Sequence, residues 1–283
     1  MNSELLTERR GATLVLTLSD PATRNTLSPQ ACAAGIEALN IAEGNPELRC
    51  VVLRGDGAHF CSGGNLQRLS RTRQVDAEPI AEPPQDGRTP SGGRLAEPSG
   101  PEQQAQNMEH FHGFIDALRA FPKPVIAAVE GAAAGGGFSL ALACDLIVAA
   151  EDARFIMSYG RVGLSPDGGG SWQLANALPR ALALQMVWLA EPLGARQLQA
   201  LGLVNWVTDS GQALAEALRI ADRLAEMAPN ALASAKELIN QAPSRSLREQ
   251  LDSERDHFVQ NLFHPNGGEG LQAFIDKRAP KFR

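Results

Sequence analysis

The sequence predicts an α/β fold with a helical C-terminal region. Two patterns carry that prediction: short β-branched runs recur along the first half of the chain, and helical apolar spacing dominates from Pro179 onward. The first run, Thr13 to Leu18 (TLVLTL), reads as a strand and gives way to turn chemistry at Asp20-Pro21. Ser28-Pro29 then opens a helix, with a hydroxyl cap followed by proline in the first turn. Arg49 to Arg54 (RCVVLR), Val125 to Val129 (VIAAV) and Leu146 to Ala149 are further strands, and the helical patterns between them imply parallel pairing.

Beyond residue 200 the spacing predicts helices over Gln212 to Met227 and Ala231 to Gln241, separated at Pro229, then over Ser246 to Leu262 and Gly270 to Arg278. We therefore expect an α/β core over 1–200 and a helical region over 201–283, packed on its own core or on a neighbouring subunit. Within the core, Arg71 to Pro101 is crowded with Pro, Gly, Glu, Gln and Arg. So little apolar surface cannot offset the entropy of ordering, which predicts a flexible insertion over 71–101, either a plain surface loop or a mobile lid.

Composition narrows the function classes. Of the 283 residues, 43% are hydrophobic and 20% charged, as in a globular protein. The balance of 26 basic and 32 acidic residues gives a net charge of −6, which argues against nucleic-acid or anionic-membrane partners. An anionic small ligand needs only local positive charge and stays open. Cys32, Cys50, Cys61 and Cys144 show neither paired nor metal-ligand spacing, so no disulfide framework and no metal site is expected. His59, His110 and His112 likewise show no metal spacing. The start, MNSELLTERR, lacks the apolar core of a secretory signal, and the apolar tract from Val125 to Ala150 is broken by Glu130, glycines and Asp145. The expectation is a cytoplasmic protein.

Three glycine-rich turns are where chemistry can sit: Cys61-Ser62-Gly63-Gly64-Asn65-Leu66, Gly131 through Gly135-Gly136-Gly137, and Pro166-Asp167-Gly168-Gly169-Gly170. None fits a dinucleotide fingerprint, a phosphate loop or a nucleophile elbow. What remains is backbone chemistry. Glycine lets a peptide N–H approach a ligand closely, and two such groups converging on one oxygen make an oxyanion hole. Taken singly, each turn is equally a device for packing a helix on a strand. Asp167, taken singly, is equally a helix N-cap.

Together the motifs resemble the enoyl-CoA hydratase/isomerase (crotonase) family. The first turn is similar to its C-A-G-A-D-[IL] motif, Lys123-Pro124-Val125 through Gly137 to its K-P-x-I-A-A-V-x-G-x-A-x-G-G-G segment, and Cys144-Asp145 to its C-D pair. Within the family, Phe155 to Ser158, Pro166 to Trp172, Leu251 to Asp256 and the ending from Glu269 are most similar to members of the 2-(1,2-epoxy-1,2-dihydrophenyl)acetyl-CoA isomerase type.

The resemblance implies a crotonase (ClpP-like) spiral of ββα units, with the C-terminal helices taking part in trimers or pairs of trimers. It implies an acyl-CoA thioester substrate in phenylacetate or fatty-acid catabolism, with coenzyme A arriving on the substrate and no separate cofactor. The N–H groups of Gly64 and Gly136 would hold the thioester oxygen. Arg24, Leu27, Asn65 and Leu66 would grip the coenzyme and Ser62 would also bind the substrate, although Arg24 is equally an ordinary solvated arginine.

Ser139 and Tyr159 stand where hydratases of the family carry two glutamates. Serine and tyrosine are poor bases near neutral pH, so a two-glutamate hydratase is disfavoured. Asp167 matches a proton-transferring aspartate of family isomerases, which leaves an isomerase working through an enolate. Tyr159 would shape the acyl pocket, Ser139 would leave room or orient a water, and Trp172 would pack at a helix start. The other readings are a hydratase, a dehalogenase-like member in which the aspartate attacks a ring, and a non-catalytic binder of acyl-CoA or RNA.

Overall fold

A computed structural model of the chain describes residues 3–75 and 100–283. Residues 76–99 of the insertion expected over 71–101 lie outside the described residues. Its two ends are helical, up to Val75 and from Gly100.

The chain begins with a hairpin that sequence patterning missed. β1 (Glu4–Arg10) pairs antiparallel with β2 (Thr13–Ser19) around Gly11, whose φ of 60° suits a tight turn. β1 is almost wholly exposed, so its charged residues carry no alternating signature. A short 3-10 turn, Pro21–Thr23, leads to α1 (Pro29–Glu43), where the Ser28 hydroxyl accepts the Ala31 N–H as the Ser-Pro pair predicts.

The remaining elements alternate. They are β3 (Cys50–Gly55), α2 (Leu66–Val75), α3 (Gly100–Ala120), β4 (Val125–Val129), β5 (Ala132–Ala134), α4 (Gly136–Ala143), β6 (Leu146–Ala150) and β7 (Arg154–Ile156). After a 3-10 segment, Ser158–Val162, come α5 (Gly170–Ala177), α6 (Arg180–Leu189), β8 (Leu193–Gly194), α7 (Ala195–Ala200) and β9 (Trp206–Thr208). Four helices close the chain: α8 (Ala213–Ala225), α9 (Pro229–Gln241), α10 (Leu247–Leu262) and α11 (Pro265–Ile275). Pro229 is thus the first residue of α9, where its missing N–H costs nothing, and the last helix begins five residues before the expected Gly270.

Six strands form the main sheet in the order β1-β2-β3-β4-β6-β9, parallel from β2 onward. A small second sheet has the order β5-β7-β8. The chain therefore spirals. β4–β5–α4 and β6–β7–α5 each place one strand in the large sheet, one in the small sheet, then a helix. β3, the isolated Cys61–Ala133 bridge and α2 make a third such turn.

From β2 to β6 both faces of the large sheet are covered, so these strands are apolar on both sides. Val51, Leu53, Val125 and Val129 face the core shared with α1 and α3, while Val52, Ile126 and Val148 pack under Ala217, Ile220 and Ala221 of α8. The chain consequently crosses residue 200 without leaving the core, because β9 extends the sheet and α8 covers it. The expected helical region over 201–283 thus contains a strand. Only from Pro229 do the helices stand apart, and neither α9 nor α10 has a buried residue. Asp145 ties that appendage back: its Oδ2 accepts the Val125 N–H at 2.7 Å and the Lys236 ammonium from α9 at 2.8 Å.

Candidate active site

Strands β3 and β4 run parallel and side by side, so the loops leaving their ends meet at one edge of the sheet. The loop after β3 is pinned from several directions. Asn25, fully buried and at a φ of 57°, donates through Nδ2 to the carbonyls of Asp56 at 2.9 Å and His59 at 2.7 Å. Further on, the Ser62 N–H reaches the Arg24 carbonyl at 3.0 Å, the Leu27 N–H reaches the Gly63 carbonyl at 2.8 Å, and the Ala134 N–H reaches the Cys61 carbonyl at 2.9 Å.

The result is a close meeting of two glycine turns. A Cβ on Gly63 would lie 2.8 Å from the Ala134 carbonyl oxygen and 2.9 Å from the Gly136 nitrogen, and one on Gly137 would lie 2.1 Å from the Cys61 carbonyl oxygen. Gly135 (φ 52°, ψ −122°) turns the chain into α4 in a conformation side-chain-bearing residues avoid. Among the described residues, neither the Gly64 nor the Gly136 N–H has a protein acceptor. The Gly136 amide also lies in the first turn of a helix, where such donors are unpaired and the helix dipole is positive.

Both glycines line a cavity of about 480 Å³. Phe111 of α3 forms part of its wall, pressed against both the second and the third turn. A Cβ would lie 3.4 Å from its ring at Gly136 and 2.3 Å at Gly168. The third turn brings Asp167, which lines the same cavity and is its only acidic lining residue among the described residues. Asp167 does not cap α5; Gly169 occupies the cap position. Its carbonyl instead accepts the Ser139 hydroxyl at 2.9 Å, and its carboxylate accepts a short hydrogen bond from the Tyr159 hydroxyl.

Burial pushes the Asp167 carboxyl above its usual range, while the Tyr159 hydrogen bond and nearby His112 pull it back. The Tyr159 phenol is raised, first by burial and then by the Asp167 charge, and so stays a proton-bearing donor at neutral pH.

Among the other residues expected at the site, Leu27, Ser62 and Leu66 line the cavity. Arg24, Asn65 and Ser139 do not. Arg24 supplies its backbone carbonyl to the loop, Asn65 accepts the Arg68 N–H at 3.1 Å at the start of α2, and Ser139 is fully buried behind Asp167. Cys61 is buried and its thiol is pushed up to about 12, which rules out a ready nucleophile. Trp172 is half exposed in the first turn of α5, beneath the Arg119 guanidinium at 4.6 Å. His59 accepts the Ala132 N–H and helps to hold the second turn. Among the described residues no cluster suits a metal ion, and no helix is long and apolar enough to cross a membrane.

Sequence reasoning missed Asn25, the Tyr159–Asp167 hydrogen bond and the α3 wall. Only Asn25 left a signal, as a polar residue between Arg24 and Thr26 in a turn.

Known proteins share this architecture. A model of the enoyl-CoA hydratase/isomerase family matches residues 8–88 and 90–283. The 1,2-epoxyphenylacetyl-CoA isomerase of Escherichia coli K12 is 33% identical over 95% of this chain and 94% of its own. The enoyl-CoA hydratase EchA19 of Mycobacterium tuberculosis is 30% identical over 99% and 96%. The crystal structure of an enoyl-CoA hydratase from Polaromonas sp. JS666 is 56% identical and superimposes with a TM-score of 0.89, covering 99% of this chain and 100% of that one. The spiral of ββα turns is the crotonase fold, and the chain belongs to the enoyl-CoA hydratase/isomerase family.

Proposed function

We propose that the chain is an acyl-CoA isomerase that moves a proton through a thioester enolate, with Gly64 and Gly136 as the oxyanion donors and Asp167 as the base. The carrying observation is that, among the described residues, one cavity contains two unpaired backbone donors and a single carboxylate. Asp167 removes a proton from a carbon activated by the thioester. The electron pair of that C–H bond moves into the carbonyl, and the enolate oxygen lies between the two N–H groups, each worth about 3 kcal/mol in the transition state. The protonated carboxyl returns the proton to a different carbon of the conjugated chain, so the double bond shifts and no atom is gained or lost.

Hydration would need a second group to activate water. Ser139 and Tyr159 occupy the two positions where that chemistry keeps glutamates, and neither is a competent base there. The relative named an isomerase supports this reading, and those named hydratases define its alternative. Tyr159 acts as the partner that favours the ionised form of Asp167.

The exposed helical appendage supports self-assembly. Phe258, Phe263 and Phe274 are 68%, 82% and 86% exposed, on helices whose apolar positions this chain leaves uncovered. Such a surface is characteristic of an interface, and we assign it to contacts between copies, as trimers or pairs of trimers.

Three measurements test these assignments. Incubated in heavy water with cis-3-hexenoyl-CoA, the wild type should shift the double bond or incorporate deuterium. Asp167→Asn should do so about a hundredfold more slowly or worse; equal rates would remove Asp167 from the chemistry, and a hydroxyacyl product would make the enzyme a hydratase. Loss of the Tyr159 hydroxyl removes a bond that lowers the Asp167 pKa, so the acidic limb of the kcat/KM profile should move to higher pH in Tyr159→Phe; an unmoved limb would refute that role. Sedimentation should show a trimer or hexamer that Phe258→Glu with Phe274→Glu dissociates, whereas a wild-type monomer would exclude the assembly.

A further inference from the structure

The cavity holds a second polar feature that the proton transfer does not use. Arg68 of α2 and Gln104 of α3 both line it, and the Arg68 Nε and Gln104 Oε1 atoms are buried with no hydrogen-bond partner among the described residues. Arg68 is partly buried, and a sheltered polar atom is normally paired, because removing it from water without a partner is costly. The charge is also close enough to act on the buried thiol of Cys32, another lining residue.

Their position relative to the reacting centre is set by α3. Phe111, pressed against Gly136 and Gly168, marks the catalytic end. Gln104 lies on the same face seven residues earlier, about 10 Å away at 1.5 Å of rise per residue. Between them the cavity is lined by Leu69 and Met108 together with the polar Asn107. The cavity thus contains, besides Gly64 and Gly136, a sheltered Arg68 Nε and Gln104 Oε1 that have no partner among the described residues.

We infer that this end of the cavity recognises a carboxylate at the far end of the acyl chain, so that the preferred substrates are ω-carboxyacyl-CoA thioesters. This deepens the thioester-site reading and rests on it. Arg68 donates to the carboxylate, and the Gln104 amide, turned about its last torsion, adds a second donor. At about 1.2 Å per bond in an extended chain, and allowing a hydrogen bond of about 3 Å at the end, the span fits an acyl group of about six to eight carbons. A coenzyme phosphate shares the anionic chemistry. Bulky and strongly hydrated, it suits the exposed Arg161 better than the partly buried Arg68.

Saturated thioesters undergo no double-bond shift, so their binding tests this site independently of the proposed activity. Calorimetric titration should show suberyl-CoA binding wild type at least tenfold more tightly than octanoyl-CoA. That preference should vanish in Arg68→Met and shrink in Gln104→Leu, the second variant serving if the first fails to fold. Equal wild-type affinities would overturn the inference. So would an Arg68→Met variant that weakens suberyl-CoA, octanoyl-CoA and free coenzyme A alike, because the guanidinium would then hold the coenzyme. The expected preference without any proton exchange would sink the isomerase reading and leave this site standing.

Discussion

The contact between the Gly63-Gly64 turn and the Gly135-Gly136 turn is the constraint on which the rest of the site depends. There is no room for a Cβ at Gly63 or Gly137, where backbone atoms of the facing turn would come within 3 Å. The contact exists because β3 and β4 are parallel neighbours and their loops leave the same edge. Ligand sites in parallel sheets collect at such edges for this reason. What the contact produces is a pair of unpaired N–H groups fixed by strand geometry, so no side-chain reorganisation is needed to present them to a developing negative charge.

Asp167 is built on the same contact at one remove. Phe111 packs against both the second turn, at Gly136, and the third, at Gly168. Ser139, in the first turn of α4, anchors the Asp167 carbonyl from below. The carboxylate therefore lines the same cavity as Gly64 and Gly136, in a partly buried position that raises its pKa, with Tyr159 as the counterweight. Residues that sequence comparison treats as vacancies left by two glutamates thus have work of their own. One holds the aspartate's backbone and the other its side chain.

Much of this was legible in the sequence, and the limits have physical causes. The buried strands read clearly because TLVLTL, RCVVLR and VIAAV are apolar on both faces. β1 did not, because an exposed edge strand needs no apolar alternation. The glycine turns announced close backbone approach, but which turns meet depends on the strand order, which periodicity does not encode. Asn65 looked like a ligand group and is engaged in starting α2, and Asp167 looked equally like a cap and is not one. The Tyr159–Asp167 pairing joins residues eight apart across a 3-10 segment and a left-handed turn at Gly163, a path with no local signature. The sheltered Arg68 Nε was invisible because the burial of one atom, and its lack of a partner among the described residues, are properties of packing alone.

The central claim is that two backbone N–H groups hold and polarise a thioester oxygen, and vibrational spectroscopy addresses it directly. Isotope-edited infrared difference spectra of an enoyl-CoA labelled with carbon-13 at the carbonyl should show the C=O stretch moving to lower wavenumber on binding. A bound carbonyl that absorbs where the free thioester absorbs in water, or at higher wavenumber, would contradict the account.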